Sequence, residues 1–217
     1  MNAQTQSLTL PGPAGAIEAL LDAPDASQFA APRGTAVIAH PHPQFGGAMT
    51  NKVVQTIARA FVQCGWRAVR FNFRGVGASA GSYDEGRGEV QDMLAVVTQQ
   101  TPVEAPLAIA GFSFGAFVAT QAIAALHAGR PMASPIASVV LVGTAAARFA
   151  AAPVPADLHA RTLVVHGERD DTVPLASVMD WARAQTLPVT VVPGGEHFFH
   201  GQLPLLKSLV MRHVRAG

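Results

Sequence analysis

From residue 35 onward the chain alternates short, fully apolar runs with longer stretches in which apolar residues recur every third or fourth position. Residues 35–39 (TAVIA) are apolar throughout, as in a strand covered on both faces of a parallel sheet. Residues 67–73 (RAVRFNF), 137–143 (ASVVLVG), 162–166 (TLVVH) and 189–192 also read as strands, as does the apolar run that ends in Gly111. Between them the period lengthens. Val53, Val54, Ile57, Ala58 and Phe61 share one helical face, as do Val90, Met93, Leu94 and Val97. Thr50 or Asn51 can cap the first of these helices, and Gly65 ends it. Further helices are predicted over 175–184 and 203–214, and from residue 114 to about His127. Ahead of this region, residues 7–10 and 17–21 flank a PGPAG turn and predict an antiparallel hairpin at the sheet edge.

Alternating strands and helices predict an α/β fold: a mostly parallel sheet, helices on both faces, right-handed crossovers. No linker, repeat or low-complexity segment divides the chain, so one domain over residues 1–217 is expected. In such sheets ligands sit at the carboxyl ends of the strands.

Composition narrows the class. At 217 residues, 49% hydrophobic and 13% charged, the chain can bury a sizeable core and is not disordered. A net charge of +1 favours neither a nucleic-acid nor a membrane partner. The first residues lack a basic start and a continuous apolar core, so no signal peptide is expected, and no apolar run reaches membrane-spanning length. A cytoplasmic protein is the expectation. The single cysteine, Cys64, cannot form an internal disulfide and reads as a small buried residue.

The chemistry centres on residues 106–120, PLAIAGFSFGAFVAT. An apolar strand runs into GFSFG and then into a small-residue helix. This is the G-x-S-x-G pattern, in which a sharp strand-to-helix turn lifts a serine above the sheet. A side chain at Gly111 or Gly115 would clash across so tight a turn. Ser113 is therefore read as a nucleophile.

A serine hydroxyl needs a base to take its proton and an acid to orient that base. His197, in GGEHFFHG, follows the last strand, and Asp170, in HGERDDTVP, follows the strand before it. The order Ser113, Asp170, His197 is the one expected when the serine sits on such a turn. Asp171 is the rival for the acid, and one of the two aspartates is free to cap the helix starting near Pro174. His200 is the rival for the base and is otherwise assigned to the pocket rim. A metal site built from His40, His42, His197 and His200 is disfavoured, because no HExxH or paired-cysteine spacing accompanies them. No metal and no cofactor is expected.

An oxyanion hole needs two backbone N–H groups. Phe114, next after the serine at a helix start, is one candidate. The loop HPHPQFGG offers the other: Pro41 and Pro43 have no N–H, leaving His42 first and Gln44 second. The glycine loop RGVGASAG is spaced GxGxxxG with no helix directly behind it, so it is not a dinucleotide fingerprint, and no GxxxxGK[ST] occurs.

HPHPQFGG, FNFRGVGASAGSYDEGRGE, GFSFG, HGERDDTVP and GGEHFFHG, in this order between residues 40 and 201, resemble the α/β-hydrolase superfamily. The resemblance is closest to small bacterial members with an HPHP-x-x-GG loop. It implies the α/β-hydrolase fold with Ser113 as nucleophile, Asp170 as acid and His197 as base. Many relatives insert a lid after the strand corresponding to ASVVLVG, but the stretch up to Thr162 is too short for one. An open site at the sheet edge follows, with Phe45, Phe112, Phe114, Phe198 and Phe199 available as an apolar rim or as core.

The reaction expected is hydrolysis of small or medium carboxylic esters through an acyl-enzyme. The same triad would serve a thioesterase or acyltransferase, for which Arg74, Arg148 and Arg169 are candidate members of a basic patch. A non-catalytic binding protein is the third alternative. A small-molecule acyl substrate is the expected partner, and the sequence leaves oligomeric state open.

Overall fold

The computed structural model describes residues 5–102, 104–129 and 135–216. The leader reading of the first residues falls partly on 1–4, outside the described residues.

Strands β1 (Gln6–Gly12), β2 (Gly15–Asp22), β3 (Thr35–Ala39), β4 (Arg67–Phe71), β5 (Leu107–Phe112), β6 (Ile136–Val142), β7 (Thr162–Gly167) and β8 (Val189–Val192) form one sheet. Their spatial order is β1-β2-β4-β3-β5-β6-β7-β8. β1 pairs antiparallel with β2, and β2 antiparallel with β4. From β4 to β8 every neighbouring pair is parallel. The described residues also form five α-helices: α1 (Lys52–Gln63), α2 (Arg87–Gln100), α3 (Phe114–Ala128), α4 (Leu175–Arg183) and α5 (Leu203–Ala216).

The period of two along the strands divides the core into two layers. Val37, Leu107, Ile109 and Leu141 face one side, under α2, α3 and α4. Ile38, Ala108, Ala110, Val140 and Val165 face the other, where α1 and α5 supply Val54, Ile57, Phe61, Leu206 and Val210. β3 and β5 are buried along their whole length, which is why their sequences do not alternate. Cys64 lies buried in the second layer, as a small residue packed below Gly65.

Local signals match the elements. Asn51 Oδ1 accepts from the Val53 N–H at 2.9 Å and caps α1, deciding between Thr50 and Asn51. Gly65 follows that helix at φ +85°, a backbone conformation that costs glycine nothing. The expected strand over 67–73 is shorter, ending at Phe71. Past that end the Asn72 N–H still donates to the Glu18 carbonyl at 2.8 Å, while its side chain bridges Met49 N–H and the Glu18 carboxylate, tying the β4 end to β2 and to the loop before α1.

Candidate active site

The site is built where β3, β5, β6, β7 and β8 end. β5 is central in the sheet, so the site lies over the carboxyl ends of the middle strands. That refines the expectation of a site at the sheet edge: no lateral edge strand contributes its serine.

β5 delivers Ser113 and α3 begins at Phe114. Ser113 has φ +58° and ψ −119°, a conformation rare for any residue with a side chain. Its N–H donates to the Val142 carbonyl at 2.8 Å and its carbonyl accepts from the Ala116 N–H at 3.0 Å, which pins the turn from both sides. The flanking glycines are sterically required. A Cβ on Gly111 would lie 2.2 Å from the Gly115 carbonyl oxygen, and one on Gly115 would lie 2.5 Å from the carbonyl oxygens of Ala39 and His40.

The loops after β7 and β8 bring Asp170 and His197 to this serine. His197 Nε2 is 3.0 Å from Ser113 Oγ, and His197 Nδ1 is 2.7 Å from Asp170 Oδ2. With the Nδ1 proton donated to the carboxylate, Nε2 is left as an acceptor facing the serine hydroxyl. Asp170 is held in turn: its Oδ1 accepts from the N–H groups of Thr172 (3.0 Å) and Val173 (2.7 Å). Burial pushes the Asp170 carboxyl upward, but the His197 hydrogen bond and the Val173 N–H outweigh it, and the carboxyl ends below its ordinary range. Ser113, Asp170 and His197 are all buried. The Phe112 ring lies 4.9 Å from the imidazole of His197, and Phe198 packs against its edge.

The rivals separate cleanly. Asp171 is exposed and accepts from the Thr172 hydroxyl; it caps nothing, since α4 starts behind Pro174 with no side-chain cap. His200 is not among the residues lining the cleft. Three residues past His197, it projects outward and pairs with Glu196. The loop bends at Phe199, φ +53°, whose ring is fully buried, and this swings His200 away from the site.

His40 was weighed above only as a metal ligand, and the structure gives it another place. Its Nε2 accepts from the Phe73 N–H at 3.0 Å, so its proton sits on Nδ1, 2.6 Å from the Pro41 carbonyl. The ring ties the loop after β3 to the end of β4. Burial drives its pKa down to about 4, only partly offset by the Pro41 carbonyl. The same loop is fixed at its far end by Gly47, where a Cβ would stand 2.1 Å from the Pro41 oxygen. His42 Nδ1 accepts from the Gln44 N–H at 3.3 Å, which engages one of the two candidate oxyanion donors of this loop. The His42 ring packs among Phe45, Tyr83, Phe114 and Phe149, and its Nε2 meets the Tyr83 hydroxyl at 3.2 Å. Below the acid loop, His166 is fully buried; its Nε2 donates to the Val173 carbonyl at 2.8 Å and props the turn that holds Asp170. Both histidines open motifs quoted above, HPHPQFGG and HGERDDTVP, but the motifs alone do not reveal these supporting contacts.

A cleft of about 490 Å³ opens over Ser113, lined also by His42, Phe45, Phe114, Arg148, Phe149, Asp171, His197 and Phe198. Of the five phenylalanines offered as rim or core, Phe112, Phe114 and Phe199 are core, while Phe45 and Phe198 are exposed. Arg74 is not free for a basic patch: it pairs with the buried Asp92 of α2 at 2.8 Å. Arg169 does not line the cleft. Among the described residues no group of His, Cys, Asp or Glu is arranged to hold a metal ion, and no helix is long and apolar enough to cross a membrane.

Comparison with known proteins agrees with this geometry. Residues 33–204 match the family described as alpha/beta hydrolase domain. A crystal structure from Xanthomonas campestris, described as an α/β serine hydrolase without lid, is 37% identical with a TM-score of 0.85, covering 100% of this chain and 96% of that one. An α/β serine hydrolase homologue from Coxiella burnetii is 35% identical with a TM-score of 0.77, covering 95% of this chain and 96% of that one. An uncharacterized protein of Rickettsia prowazekii is 44% identical over 91 residues, which are 41% of this chain and 38% of that relative's length. Like the first of these structures, the chain has no lid: residues 143–161 hold bends and one 3-10 turn between β6 and β7.

Proposed function

Because the chain belongs to the α/β-hydrolase family, we propose that it is a single-domain serine carboxylesterase acting on small or medium acyl esters, with Ser113 as nucleophile, His197 as base and Asp170 as acid. The observation that carries this reading is the unbroken relay from Ser113 Oγ through both nitrogens of His197 to Asp170.

In the reaction His197 Nε2 takes the Ser113 proton as Oγ attacks the ester carbonyl carbon. Asp170 stabilises the imidazolium that forms, and its own two N–H donors keep it ionised while it does so. Negative charge collects on the carbonyl oxygen. The Phe114 N–H, at the first position of α3 with no intrahelical acceptor, and the His42 N–H are the proposed donors to it. The tetrahedral intermediate collapses, the C–O bond to the alcohol breaks, and His197 returns the proton to the leaving oxygen. Water then attacks the acyl carbonyl carbon while giving a proton to the same imidazole; the bond from that carbon to Ser113 Oγ breaks, His197 returns the proton to Oγ, and the free acid leaves. Each half-reaction passes one proton through His197 and exchanges one C–O bond for another.

No metal or cofactor is needed for this sequence. The open, partly apolar cleft, with Phe45 and Phe198 at its mouth, supports small or medium acyl groups. A thioesterase would use the same relay. The loss of Arg74 and Arg169 from the cleft speaks against a basic patch for a nucleotide-bearing thiol.

The test is turnover of short-chain para-nitrophenyl esters by the wild type and by Ser113→Ala. The expected result is loss of at least three orders of magnitude in kcat in the variant. Retained activity in a folded variant would exclude Ser113 as nucleophile.

A further inference from the structure

The catalytic cleft is bounded on one side by Arg148 and Phe149, and the same two residues bound a second, shallower groove of about 1020 Å³ that runs over α2 and α3. Phe149 is anchored: its ring stacks on Phe117 at 4.7 Å and packs against Phe114 and His42. Its N–H donates to the Ala145 carbonyl at 3.3 Å. The chain at Arg148 is therefore held in place while the side chain stays exposed.

The charges around it are distinctive. Among the described residues Arg148 forms no ion pair. The other cation lining the second groove, Arg87, is already paired with Asp84 at 2.8 Å and Glu85 at 3.0 Å. Among the described residues lining the catalytic cleft the one carboxylate is Asp171, on the loop after β7. The charge of Arg148 reaches into the site: added to burial, it holds the His42 imidazole below its ordinary value.

We propose that Arg148 is a specificity-determining residue that binds a carboxylate on the substrate, so that the preferred substrates are esters of acid-bearing molecules. This rests on the serine-hydrolase reading above and names its substrate class. A guanidinium presents paired donors that match one carboxylate. One unpaired cation, with Asp171 in the cleft and Glu85 in the groove beyond, matches a single negative charge and not a polyanion. The substrate carboxylate lies at the Arg148 wall, away from the Asp171 loop.

The experiment compares two matched pairs: the mono-para-nitrophenyl ester of glutaric acid against its methyl ester, and para-acetoxybenzoate against its methyl ester. The first pair carries the acid on the acyl part, the second on the leaving part. The ratio of kcat/KM for acid over neutral ester is the readout, in wild type, Arg148→Gln, Arg148→Lys and Asp171→Asn. The inference predicts that in one pair Arg148→Gln lowers this ratio about tenfold at low salt, the low end for a charge-assisted bond at an exposed site. Arg148→Lys restores part of it, Asp171→Asn raises it, and added salt shrinks it. A ratio unmoved by Arg148→Gln in both pairs, with the esters still turned over, overturns this inference alone. Turnover of none of the four esters overturns the hydrolase reading and this inference together. Acetyl-CoA hydrolysed in preference to a truncated acetyl thioester would also overturn the assignment, since it would mean a polyanion is bound.

Discussion

Ser113 occupies a backbone conformation at φ +58° that costs a residue with a side chain about 1–3 kcal/mol. Ser113→Gly should therefore raise stability by about 1 kcal/mol in urea unfolding while removing the proposed hydrolytic activity, a pairing that a merely structural serine would not give. Asp170 makes the same argument for the acid. Asp170→Asn can keep an acceptor for the Thr172 and Val173 N–H groups but offers no charge to the His197 imidazolium. Its kcat should fall by about three to four orders of magnitude, whereas His200→Ala, on a side chain that faces solvent, should change kcat less than about twofold. That Ser113, Asp170 and His197 come together was legible in the sequence because each follows a recognisable strand. Adjacent in sequence, Asp170 and Asp171 are separated by the turn geometry: Asp170 accepts from the Val173 N–H and reaches His197, while Asp171 is exposed. Arg148 and Phe149 were harder to read, since they sit in an alanine-rich connection whose path depends on packing against Phe117.

The elements that matter most are the β5–α3 turn and the loop after β3. Gly115 lets the start of α3 approach the carbonyls of Ala39 and His40. Gly115→Ala should cost about 3 kcal/mol or more of stability, because backbone at 2.5 Å cannot move aside. The loop after β3 depends on a neutral His40. Its folded pKa of about 4 lies below its ordinary 6.5, so the unfolded chain binds the extra proton first as pH falls. Stability from this group is complete above about pH 6.5, declines through the interval down to pH 4, and amounts to about 3 kcal/mol over that window. His40→Gln should flatten the dependence of unfolding free energy on pH there, measured by urea titrations at several pH values. A wild-type slope left unchanged in the variant would contradict the assignment. The strands and helices were legible because burial on both sheet faces gives uniform apolar runs. The early end of β4 was not, since it depends on how Asn72 bonds across to Glu18 and to the Met49 loop, which the apolar pattern does not show.

At the scale of the molecule, the short link between β6 and β7 leaves the cleft without a cover. A hydrolase with no lid has nothing to open at an oil–water boundary. Its rate on a sparingly soluble ester should saturate smoothly through the solubility limit, with no jump when droplets form. A jump would require a moving segment that the fold does not provide between these strands. The family was legible from the order of the motifs, and the mostly parallel sheet with helices on both faces from the alternation of strand and helix patterns, while the strand order was not read from the sequence. The polarity of the cleft was not, because it depends on which arginines find carboxylates: Arg74 finds Asp92 and Arg87 finds Asp84, while Arg148 stays unpaired among the described residues.

The central claim is that Ser113 is an activated nucleophile within this fold, and covalent labelling tests it without any assumption about substrate. The folded protein is treated with a fluorophosphonate and its intact mass is recorded beside that of Ser113→Ala. The account predicts one adduct on the wild type, localised to Ser113 by peptide mapping, and none on the variant. A folded wild type that takes no label, or a variant that labels equally, would contradict it.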